Sequence, residues 1–256
     1  MDDLDPDLRQ AIQAEQEERY DDALQSLLAA YGRLLQSEEA GRGNEFGIMF
    51  AWRLLSEAHA PARAALARLR DEQAARLLDG DFTFASGRAW PRTRFDLIHR
   101  MNDILADTHA TWDLFVRLEA LAPDHARRHA YLALPAIVEA GDFTRAERYL
   151  PRNPLDRLDE LRELAQRFPL FPPDRAAPRL AGELSNFMRN VSLCATTWEG
   201  LGRSAEASRL REAALDGLPS DDMRELARRE LAEPGAIHRA LAAHQIAQDE
   251  AGAAPA

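Results

Sequence analysis

The chain has 256 residues, 46% of them hydrophobic and 29% charged, with 32 basic and 43 acidic side chains and a net charge of −11. There is enough apolar material for a sizeable core, and the acidic balance makes nucleic acid or an anionic membrane surface a poor default partner. All 32 basic residues are arginine, as a high-GC coding bias would favour, and without lysine there is no Schiff-base, P-loop or kinase-type lysine chemistry.

The N-terminal stretch from Met1 to Leu8 is acidic and lacks the basic-then-apolar layout of a signal peptide. The apolar stretch from Phe46 to Trp52 falls far short of the roughly 20 residues that a membrane span needs. A cytoplasmic protein is the economical expectation. Helical periodicity then predicts helices over 7–17, 21–38, 44–58 and 62–79. The best strand signal, Phe82-Thr83-Phe84, lies in a Gly-containing stretch from Gly80 to Thr93. Its loop carries Phe82, Phe84, Arg88 and Trp90, side chains that suit a binding edge but equally suit folding back over a helix end.

Thr93 and Asp96 have capping-box spacing, and apolar residues from Ile98 to Phe115 recur at three and four. They predict one long helix over 93–121 or two meeting near Asp107. Further helices are expected at 125–140 and 143–151. Another starts at Pro154 behind an Asn153 cap and runs to Phe168, where Pro169 stops it. A proline-bearing loop follows at 168–178, then helices at 179–201, 204–217, 221–232 and 235–249. The whole is read as one all-α domain over 1–249, with possible subdivision near 80–93 and 168–178 and a disordered tail at 250–256.

Three segments share one grammar: a turn residue, then a small alanine five residues on that lets the next helix approach closely. They are Glu18-Arg19-Tyr20 with Ala23, Gly141-Asp142-Phe143 with Ala146, and Gly202-Arg203-Ser204 with Ala207. The last continues to Ala214 and Pro219, with Trp198 in the helix before it. This grammar resembles the tetratricopeptide repeat, a unit of about 34 residues built as helix–turn–helix. The resemblance implies antiparallel helix pairs stacked as an α-solenoid; a compact helical bundle is the alternative. It also implies that the first helix of each pair lines a groove for another protein or peptide. On that reading Arg128, Tyr131, Arg189, Ser192 and Thr196 face inward, where arginine's planar fork suits carboxylates and peptide carbonyls. The lysine-based clamp of some members has no counterpart in a chain without lysine.

Chemistry-bearing constellations are sparse. His125 and His129 stand four apart on one helical face, as metal ligands do, but position 126 is Ala where a zinc hydrolase needs its glutamate base. His99 and Asp103 have the spacing of an oriented general base and equally of an ordinary surface pair. Cys194, the single cysteine, sits in an apolar helical stretch, where a buried inert thiol is expected. The expected function is therefore a non-enzymatic helical-repeat adaptor or regulator that binds a protein or peptide, without metal or cofactor. An acidic inhibitor or immunity-type protein that neutralises a basic partner is the second reading, and a helical metal-dependent hydrolase the third.

Overall fold

A computed structural model describes residues 4–36, 42–84, 92–173 and 176–253. Among them the protein is all-α, with thirteen helices and one minimal hairpin. In chain order these are α1 (Pro6–Gln16), α2 (Tyr20–Gln36), α3 (Arg42–Ala58), α4 (Ala60–Leu78), β1 (Thr83–Phe84), β2 (Arg92–Thr93), α5 (Arg94–Leu105), α6 (Thr108–Leu121) and α7 (Pro123–Glu139). After them come α8 (Phe143–Glu147), α9 (Leu158–Ala165), α10 (Arg179–Gly200), α11 (Ser204–Gly217), α12 (Asp221–Ala232) and α13 (Ala236–Ala253). The two strands pair antiparallel, Thr83 opposite Thr93.

Left-handed residues end the helices at the turns. Gly141 and Gly202 have φ of 73° and 79°, and Glu18, at the matching place in the first copy, adopts φ 58° although it has a side chain. The amide after the left-handed residue reaches back five residues, Arg19 to the Ala14 carbonyl at 2.8 Å and Arg203 to that of Trp198 at 2.7 Å. That bond uses up a carbonyl the helix end leaves open. Ala23, Ala146 and Ala207, five residues past the turn, are all buried. Ala106 repeats the geometry with φ 53°, so residues 93–121 form two helices, and Asp107 caps the second by accepting from the Ala110 amide at 3.1 Å.

Two expected helices are shorter than their patterns. Asn153 accepts from the Leu155 amide, but i→i+3 bonds close the following turn, Leu158 to the Leu155 carbonyl among them, so α9 starts at Leu158 rather than Pro154. α8 ends at Glu147 rather than 151. Pro151 disfavours helical backbone at Leu150, and Arg148 and Tyr149 bond back only three residues.

The described chain divides into two compact units, residues 1–140 and 141–256; this division lies at neither 80–93 nor 168–178. In the first unit each helix packs on its chain neighbour. The odd-numbered helices also touch in series, α1 on α3, α3 on α5 and α5 on α7. The core gathers Leu27, Leu34, Trp52, Leu55, Leu66 and Met101 among others. Beside it lies a polar lock. Buried Arg94 donates to Gln73 and, at 2.6 Å, to Asp81, which Arg76 also holds. Burial pushes the Asp81 carboxyl up, but the Arg94 and Arg76 guanidiniums outweigh it and hold the group below the usual aspartate range. A second lock joins α4 to the α5–α6 turn: Arg70 donates to Asn102 at 2.6 Å and to Asp107 at 3.0 Å, and Asn102 donates to Thr111.

In the second unit α10 is central, with α8, α9, α11, α12 and α13 packed on it. Gly200 lets α8 approach: a Cβ there would stand 2.1 Å from the Phe143 ring. The proline loop folds back on α13, where the Pro172 carbonyl accepts from Gln248 at 3.2 Å and Phe171 lies 5.3 Å from the His244 ring.

Two predictions follow from these contacts. Glu18→Gly relieves left-handed strain and should raise stability by roughly 0.5–1 kcal/mol, while Gly141→Ala should lower it by about 1 kcal/mol, both read by urea denaturation. Arg94→Leu strands the buried Gln73 amide and should cost roughly 2 kcal/mol in the same assay.

Candidate partner-binding surface

α7 begins with Pro123 at its first position and buries Ala126, Ala130, Ala133 and Ile137. Its opposite side turns Arg127, Arg128 and Tyr131 to solvent, with Tyr131 69% exposed. Arg128 makes no ion pair or hydrogen bond among the described residues. Two of the expected recognition residues, Arg128 and Tyr131, thus share an exposed face of one helix. In the second unit Arg189 and Thr196 are exposed on α10, and Ser192 is half-buried between them.

The hairpin residues have another role. Phe84 is buried in the core of the first unit. Phe82 stacks on His125, ring centroids 3.9 Å apart. Phe84 is thus committed to the core and half-buried Phe82 to His125; Arg88 and Trp90 lie outside the described residues.

The two α7 histidines are likewise engaged. His125 lies against Phe82, and His129 stacks on Phe95 of α5 at 5.4 Å. No group of three or more metal-ligating side chains is present among the described residues. His99 Nε2 stands 3.6 Å from Asp103, an i,i+4 pair too long for a hydrogen bond. Cys194 is fully buried inside α10, and burial pushes its thiol up to about 12.

Among the described residues, one row of exposed apolar side chains is not singled out by the sequence pattern. On α3, Phe46, Phe50 and Leu54 are 65%, 52% and 38% exposed and follow one another at every fourth residue. The first two rings stack, centroids 6.3 Å apart. Arg53 and Glu57 flank them on the same side. α3 buries Ile48, Met49, Trp52 and Leu55 against α1, α2, α4 and α5. Its apolar residues therefore span a wider arc than a single core-facing stripe. That excess was visible in the row Phe46, Ile48, Met49, Phe50, Trp52, Leu54, Leu55.

The second unit has an open cleft of about 520 Å³ between α9 and the α11–α12 turn, lined by Arg162, Gln166, Asp216, Leu218 and Ser220 among others. Arg162 is already committed there, donating to the Gly217 carbonyl at 3.1 Å and to Asp159 at 2.8 Å. Ser220 caps α12 through the Met223 amide.

No helix among the described residues is long and apolar enough to cross a membrane. Compared with protein-family models, curated proteins and solved structures, the chain matches none.

The Cys194 environment gives a direct test. A thiol-specific reagent at neutral pH should label the native protein at least roughly a hundredfold more slowly than the urea-unfolded chain, because the thiolate is both scarce and enclosed.

Proposed function

We propose that this protein is a non-enzymatic binding protein whose helical surface recognises another protein or peptide, as an adaptor or regulator built from tetratricopeptide-like helix pairs. The observation that carries the reading is the α3 row, three large apolar side chains presented to water at helical spacing. Apolar and aromatic anchors of this kind supply most of the binding energy where a helix or peptide is recognised through residues a turn apart.

Two further features support it. α3 and α7 belong to the odd-numbered series whose members touch one another, the position that the first helix of each pair holds in the resembled family. Arg128 and Tyr131, residue types favoured at recognition surfaces, stand exposed on α7. The left-handed turns at Glu18 and Gly202, each followed by a buried alanine and a helix packed on the one before, support the helix-pair grammar itself.

Affinity capture from the native host tests the reading, using the wild type, the double variant Phe46→Ser/Phe50→Ser and a control, Arg209→Ala. Both Phe substitutions fall on exposed positions, so stability should change by no more than about 0.5 kcal/mol. A partner bound through the α3 row is captured by the wild type and the control, is lost with the double variant, and resists a rise in salt. Capture that persists in the double variant, or collapses in moderate salt as charge steering of a basic partner requires, contradicts it.

A further inference from the structure

His125 and His129 stand one turn apart on α7 and meet different elements. His125 lies flat on Phe82, ring planes 19° apart, in the segment after α4. His129 lies on Phe95, ring planes 24° apart, and Phe95 is itself buried edge-on against Phe115 of α6 at 6.1 Å. The two imidazoles are thus the aromatic fastening between α7 and the α5 end of the hairpin. We propose that the His129–Phe95 contact in this fastening is a proton-sensitive joint: a neutral His129 seats α7 against Phe95, and acid loosens it. The device stands whether or not α7 takes part in binding a partner.

The charges acting on His129 are few. Asp96 of α5 favours its protonation, and His125 and Arg128 of its own helix oppose it; α6, the other helix packed on α7, carries Glu119 and the mutually paired Asp113 and Arg117. Burial is the largest effect, and it pushes the imidazole below the ordinary histidine range. The direction of the pH dependence follows. A histidine whose native value is lowered stabilises the fold above its unfolded value of about 6.5, and this stability is lost as pH falls from there toward the native value. That window lies well above the range in which carboxylates take up protons, so the two effects separate. One opposing force exists: a phenyl face attracts an imidazolium. With the ring half enclosed, burial is the stronger.

Hydrogen exchange on the intact chain decides between these forces. Amide exchange over 123–139 is compared at about pH 7.5 and about pH 5.5, corrected for intrinsic rates, with α2 as the internal reference. At the lower pH the protection of α7 should fall roughly three- to tenfold relative to α2. His129→Gln should flatten that dependence. Protection of α7 that is equal or greater at the lower pH means the imidazolium is held by the phenyl rings and overturns the proposal. The wild-type comparison decides even where the variant fails to fold.

Discussion

One backbone device recurs in this protein: a residue in the left-handed region ends a helix, and at Glu18 and Gly202 a buried alanine five residues later lets the next helix lie close. At Glu18, Gly141 and Gly202 the same turn recurs, and at each the following alanine is buried. The turn absorbs a carbonyl that the helix end leaves open, and the alanine removes the bulk that would keep the second helix away. With little aromatic content to spend, close approach of alanine-rich faces is how such a chain reaches core density. Where approach is closest, at Gly200, even a methyl group is too much for the Phe143 ring.

Arginine serves as the polar counterpart of that packing. Arg94 and Arg70 each bridge elements far apart in sequence, holding the hairpin base to α4 and the α5–α6 turn to α4. A planar guanidinium reaches acceptors on separate elements at once, as Arg94 does with Gln73 and Asp81. Most of the other arginine pairs lie on the surface and add little to stability. The functional consequence is a firm helical scaffold on which α3 leaves three apolar side chains in water.

Much of the fold was legible in the residues. Apolar spacing located the helices, and the division of 93–121 at Asp107 was foreseen as one of two outcomes because no glycine marks it; Ala106 takes the left-handed place instead. Glu18 likewise fills a position where glycine is usual, so the first turn copy lacks the residue that marks the other two. α8 and α9 were overextended because periodicity continues through residues whose backbone turns with i→i+3 bonds. Arg128 and Tyr131 were assigned to a groove by the repeat resemblance; the structure leaves both exposed on α7. The α3 row was not foreseen, since a stretch apolar all round gives no contrast between faces; only the neighbours α1, α2, α4 and α5 decide which side is covered. Phe82 and Phe84 take the second of the two expected roles, folding back into packing, but their partners, His125 and the core, lie far along the chain and no local pattern names them.

Hydroxyl-radical footprinting of the isolated protein, with the modified side chains read by mass spectrometry, tests the central claim most directly. If the α3 row faces solvent as a recognition surface, Phe46 and Phe50 are oxidised readily, as Tyr131 is, while Trp52, on the same helix and fully buried, is spared. Protection of Phe46 and Phe50 to the level of Trp52 would mean that the protein covers this row itself, and the account of α3 as a surface awaiting a partner would be wrong.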